Sequence, residues 1–206
     1  MIQCLIIPSF IYTTICVFDG YNLLYREYIK NIDLQIRLPM EFEYIERMFV
    51  CDFYTLYTGP GPMLSLRLVL SFFKGVFLSS FAHGEAKKVV LVRGPSYYWY
   101  DGFDVIIIQN FSSEVIVLYS CSDVMIMRET ELGHIIINSN FQSKKIGIVG
   151  RSNYSFMKHD LDNVAYILCP SDLLILAEGL KKYKSGEFLA SISDIVVYKV
   201  GSDAQV

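Results

Sequence analysis

HIIINSNFQSKKIGIVGRSN, residues 134–153, is the stretch whose reading decides the fold. Two apolar runs, His134–Asn138 and Lys144–Val149, flank the polar segment Ser139-Asn140-Phe141-Gln142-Ser143, a pattern that predicts two strands joined as a hairpin. His134 opens the first run, and the small polar cluster Gly150-Arg151-Ser152-Asn153 closes the second. In a hairpin the histidine and the cluster meet at one end, a place suited to chemistry on an anion.

Working outward, the segments on either side follow α/β grammar. Gly59-Pro60-Gly61-Pro62 is a strong breaker and the best candidate boundary. Met63 to Ala82 then predicts a helix that is apolar on nearly every face, with Arg67 and Lys74 its only charges, and such a helix is expected to lie buried between layers. Two prolines remove backbone donors at its entry, so a plain turn is expected there rather than an anion site. After His83-Gly84-Glu85-Ala86 comes Lys87–Val92, expected to be a central strand covered on both faces. The aromatic loop Ser96–Tyr100 lies beyond its C-terminal end. There it can stack on a base or sugar, or else wrap the core or a partner.

Asp101–Phe111 suits either a strand or a short crossover helix. Glu114–Tyr119, Asp123–Met127 and Asn163–Cys169 predict strands, and Ser171-Asp172 caps a helix Leu173–Tyr183 with lysines at its end. Ile192–Val200 predicts a last strand. The expected fold class is α/β, a mixed central sheet flanked by helices, over residues 59–206.

Residues 1–58 form either an N-terminal extension or part of the same sheet. Ile2–Phe18 is almost continuously apolar but holds Pro8 and a Thr13-Thr14 pair. It predicts two buried strands, around 2–7 and 10–18, ahead of membrane association. Translation starting at Met40 or Met48 would leave these residues outside the compact domain. Tyr21–Lys30 and Glu41–Phe49 predict short helices, and Asp33–Leu38 alternates as a strand does.

A chain of 206 residues that is 53% hydrophobic can bury one substantial core. A net charge of −3 gives no electrostatic support for holding duplex DNA. Cys4, Cys16, Cys51, Cys121 and Cys169 are scattered without metal-ligand spacing, which predicts reduced thiols in a cytoplasmic setting, no metal and no cofactor. His83 suits a helix end and His159 a solvated loop; no phosphate-loop or dinucleotide motif is present.

The order of elements over residues 63–185, with His134 leading a hairpin and Gly150 and Asn153 forming a G-x-x-N turn, resembles one half of the phospholipase D superfamily. That resemblance implies a phospholipase D-like fold and metal-independent phosphodiesterase or nuclease chemistry in a homodimer. His134 would be the nucleophile, Asn153 would assist, and Gly150, Arg151 and Ser152 would hold phosphate. The family's lysine position holds Ile136 and its serine position holds Arg151. Lys144 and Lys145 lie about 15 Å from His134 at strand rise, so Arg151 is the residue placed to restore the missing charge. The implied partners are a second copy and a nucleic acid or phosphodiester ligand. A degenerate phosphate-binding domain, a non-catalytic ligand-sensing relative and a protein-interaction module of accidental similarity are the alternatives.

Overall fold

The computed structural model describes residues 1–82, 87–109, 114–132, 144–150, 164–167 and 169–189. The chain divides into two compact units: Met1–Arg93 with a C-terminal stretch beginning at Asp172, and Gly94–Ser171.

In the first unit, β1 (Ile2–Pro8) and β2 (Tyr12–Asp19) pair antiparallel, Cys4 opposite Val17. β3 (Asn22–Lys30) follows through the tight turn Gly20-Tyr21, where Gly20 takes φ of 59°. That left-handed backbone explains why the segment after Asp19-Gly20 is a hairpin strand and not the expected helix: Asp-Gly between two runs is a hairpin signal. Helix α1 (Leu34–Met48) contains Pro39 and buries Leu34, Leu38, Phe42 and Ile45, a helical period. The expected strand at 33–38 is corrected on that ground, since Ile36, which would share a strand face with Leu34 and Leu38, is 72% exposed. β4 (Phe53–Tyr57) runs parallel to β1, α2 (Met63–Ala82) crosses over, and β5 (Val89–Val92) runs parallel to β4. The strand order is β3-β2-β1-β4-β5, so β5 stands at an edge and not at the expected centre.

Strand side chains alternate between faces, and each face of this sheet carries its own layer. Cys4, Ile6, Ile15, Val17, Tyr54, Leu56 and Val89 pack with the inner residues of α1 and with Val69, Leu70, Phe73 and Phe77 of α2. On the opposite face lies α3 (Asp172–Ser185), where Tyr183 stacks on Phe53 at 4.1 Å between ring centroids. Gly179 of α3 lies against Gln3 and Thr55, whose buried side chains share a 2.7 Å hydrogen bond. Beyond α3, the Leu189 N–H donates to the Val89 carbonyl at 2.9 Å.

The second unit repeats the same topology. β6 (Val105–Gln109), β7 (Glu114–Leu118) and β8 (Val124–Arg128) form an antiparallel meander. β9 (Ile146–Val149) runs parallel to β6, and β10 (Val164–Tyr166) runs parallel to β9. The order β8-β7-β6-β9-β10 matches β3-β2-β1-β4-β5 strand for strand, in pairing sense as well as sequence. Ile107, Val115, Val117, Ile146 and Ile148 centre its core. Asp101–Phe111 thus resolves as a strand over Val105–Gln109 and not a crossover helix. Pro95–Tyr98, in the aromatic loop, is a short 3-10 turn whose Tyr98 is fully buried, and the Tyr100 hydroxyl donates to the Cys169 carbonyl at 2.9 Å.

Of the expected hairpin, the second run is described, as β9, while residues 134–143 lie outside the described residues. Both edges of β9 are occupied in parallel, by β6 on one side and β10 on the other.

Candidate functional site

Of the residues predicted to act on phosphate, Gly150 is described. It follows β9 directly, with φ of 109°, a conformation that suits glycine. His134, Arg151, Ser152 and Asn153 lie outside the described residues, as do His83 and His159. Among the described residues no group of three or more His, Cys, Asp or Glu side chains could hold a metal ion.

The β1–β2 hairpin carries no such chemistry either. From Ile2 to Phe18 there is no acidic, basic or glycine residue, so neither carboxylates for a hard cation nor a glycine turn for phosphate is present. Two of its hydroxyls are engaged within the unit. Ser9 Oγ donates to the Tyr12 carbonyl at 2.5 Å, and Thr13 Oγ1 donates to Asn31 Oδ1 at 3.2 Å.

The feature that stands out is α2. Its 18-residue window Met63–Ser80 has a mean hydropathy of 1.4, high enough for a membrane span, yet only 33% of that window is buried. A helix this apolar is ordinarily covered on all sides. The inward residues Leu66, Val69, Leu70, Phe73 and Phe77 satisfy that rule, while Leu64 is 70% and Leu78 58% exposed. Between them the outer side presents Ser71, Gly75 and Ser79, one turn apart and all exposed. Among the described residues nothing lies within 4 Å of where a Cβ on Gly75 would stand. Neighbouring α1 offers the opposite relief: Ile36 and Met40, one turn apart, project outward, Met40 being 62% exposed.

A groove between the helices is lined by Phe42, Phe72, Val76 and the small residues of α2, with Lys87 at one side. Lys87 forms an ion pair with Glu46 and stands 5.4 Å from the Tyr54 ring centroid, so the groove's cation is already partnered. The other flank of α1 is polar and clipped to β3. The Arg37 guanidinium bonds Glu27 at 2.8 Å and Glu41 at 2.7 Å, and the Tyr25 hydroxyl donates to Glu41 at 2.7 Å. Burial, followed by that hydrogen bond to a carboxylate, holds the Tyr25 phenol well above its ordinary value. The groups that fasten α1 in place are thus satisfied within the unit, whereas the apolar outer side of the helix pair is not.

No protein-family model matches the chain, and no curated protein matches it by sequence. Solved structures do. One is an uncharacterized protein with similarity to peptidase YEAZ from Pseudomonas aeruginosa, with a TM-score of 0.62 at 14% identity over 96% of this chain and 98% of that one. Another is YeaZ from Pseudomonas aeruginosa, with a TM-score of 0.62 at 13% identity over 97% of this chain and 99% of that one. The fold is that of YeaZ. Its two units share one strand order. Identity this low carries the architecture alone.

The YeaZ fold overturns the phospholipase D resemblance. The span that carried it, residues 63–185, is not one sheet. α2 and β5 belong to the first unit's sheet, β6–β10 form the second, and α3 returns to the first. Helix-then-strand succession is common to many α/β folds. The phosphodiesterase and nuclease readings fall with it. The helix face was missed because an apolar helix was equated with a covered one. Its small residues at 71, 75 and 79 were the signal available.

Proposed function

We propose that this chain, a cytoplasmic protein of the YeaZ fold, works by pairing, binding a second copy of itself through the outer sides of α1 and α2. The observation that carries the reading is the uncovered apolar helix α2, one-third buried at a hydropathy that calls for cover on every side. The surface is self-complementary in relief. A two-fold axis lays the large Ile36 and Met40 of one copy over the small row Ser71, Gly75 and Ser79 of the other, ridge into groove.

The dimensions suit a stable contact. A 20-residue helix beside a second one offers a face about 30 Å long and about 20 Å wide, on the order of the 800 Å² per partner typical of specific interfaces. Insertion of α2 into a membrane is disfavoured, since Leu66, Val69, Phe73 and Phe77 would have to leave the sheet. Free thiols at all five cysteines agree with a reducing compartment.

The test is the mass in solution of wild type and Gly75→Glu by gel filtration with light scattering. A Cβ at position 75 has nothing within 4 Å among the described residues, and leaving glycine favours the helix, so the variant is expected to fold. Wild type is expected at twice the 23.6 kDa of the chain and Gly75→Glu at the single mass. Equal masses for the two proteins would overturn the reading, as would a monomeric wild type that floats with phospholipid vesicles.

A further inference from the structure

A cleft of about 610 Å³ lies between the later turns of α3 and the start of the β1–β2 hairpin, and the pairing surface does not use it. Ala177, Leu180, Lys181 and Lys184 line it from α3, at the three- and four-residue intervals that share one side of a helix. Met1 and the turn residue Tyr21 line it from the hairpin. Leu180 is buried and gives the cleft an apolar surface, while Tyr21, 68% exposed, leaves its ring open to solvent. The volume falls within the range of small-molecule sites, about 300–1,000 Å³.

Charge decides what the cleft fits. Among the described residues that line it there is no Asp or Glu, and there are two lysines. The Met1 ammonium is committed to Asp19 at 2.8 Å. Lys181 reaches Glu178 only loosely, at 3.6 Å, with its side chain 76% exposed. Lys184 has no ion pair or hydrogen bond among the described residues. The open carbonyls of a helix C-terminus would weigh against an anion here, but this end is closed. The Gly186 N–H donates to the Tyr183 carbonyl at 3.1 Å, the Glu187 N–H to the Lys182 carbonyl at 2.9 Å, and Ser185 Oγ to that same carbonyl at 3.0 Å. With Gly186 at φ of 79°, this is a Schellman closure. The two lysines are therefore left to face an anion from outside. Lysines alone would take any anion weakly; Tyr21 and Leu180 beside them favour one with an apolar body.

We infer that this cleft binds a small organic anion, a carboxylate or phosphate head on a flat apolar body, with Lys184 and Lys181 at the head and Tyr21 and Leu180 against the body. Each lysine supplies a point charge on a flexible stem, which suits either head group. The tyrosine ring offers a wide apolar face at the cost of few rotatable bonds. α3 covers the sheet face opposite α1 and α2, so a paired chain leaves the cleft open. This inference is independent of the pairing reading.

The experiment is amide NMR of the full chain titrated with phenyl phosphate and, separately, with phenylpropionate. Inorganic phosphate and benzyl alcohol serve as the head and the body alone. At least one of the two anions is expected to bind with a Kd on the order of 1 mM, the scale for a ligand of about ten heavy atoms. Its shifts should centre on the amides of Gly20, Tyr21 and Lys184, and the tighter of the two names the head group. Lys184→Gln is expected to weaken binding roughly tenfold, the loss of one charge-assisted contact, and Lys184→Arg to restore most of it. Binding unchanged in Lys184→Gln would overturn the assignment, as would shifts centred on α2. So would benzyl alcohol or inorganic phosphate binding as tightly as the anions that combine them, or no saturable shift from either anion below about 10 mM.

Discussion

Replacing Gly179 by alanine is expected to destabilise the first unit, although the same change in an open helix stabilises it. Gly179 is in the interior of α3, where alanine gains about 1 kcal/mol over glycine in helix propensity. Against this, a Cβ at position 179 would stand 2.5 Å from Thr55 Oγ1, 2.6 Å from Gln3 Nε2 and 3.0 Å from Thr55 Cγ2. Those atoms belong to two buried side chains that hydrogen-bond each other at 2.7 Å on adjacent central strands, so neither has free space to turn into. Overpacking of a core costs about 1–3 kcal/mol, and disturbing the Gln3–Thr55 bond adds about 0.5–1.5 kcal/mol. The net expectation is a loss of roughly 1–3 kcal/mol, or a fall in Tm of roughly 3–10 °C for a chain of this length. Urea or thermal denaturation followed by circular dichroism measures it. A double-mutant cycle with Thr55→Ala localises the cause, since removing both Thr55 atoms should make the Gly179 change far cheaper. A Gly179→Ala protein as stable as wild type, or a cost unchanged in the Thr55→Ala background, would refute the packing argument.

Two further outcomes are expected. Tyr25 is held above its ordinary value near 10, so in the folded protein its phenol stays protonated while the unfolded chain's ionises. The stability this contributes is complete below pH 10 and is lost as the pH rises toward the folded value; alkaline denaturation midpoints should therefore show a flatter pH dependence in Tyr25→Phe. In the second unit, Ile107→Ala empties a fully buried position between β7 and β9 and should cost about 2–5 kcal/mol in urea denaturation.

Much of the architecture was legible where local pattern and final environment agree. β1, β2, β7 and β8 were readable as β-prone runs between turn residues, β6 was left between strand and helix, and α2 was bounded by its Gly-Pro entry. β3 was not, because its exposed edge position lets Tyr21-Asn22-Leu23-Leu24 depart from alternation; only Asp19-Gly20 marked the hairpin. α1 was obscured by Pro39 and by Ile36, an outward apolar residue that mimicked a strand's period. The duplication of topology was invisible, since strand order is a long-range property and the two units share no visible sequence repeat. For the same reason a local motif, Gly150 to Asn153 after His134, suggested a family whose fold the long-range strand order does not match. The outer surface of α2 could not be recognised from sequence, because exposure depends on what the rest of the fold fails to cover.

The most direct test of the central claim is hydrogen–deuterium exchange of the wild-type chain at low and high protein concentration. Pairing through α1 and α2 predicts that amides of Leu34–Met48 and Met63–Ala82 exchange more slowly as concentration rises, while those of β8 do not change. The concentration dependence should vanish in Gly75→Glu. Exchange in α1 and α2 that is the same at every concentration would contradict the account.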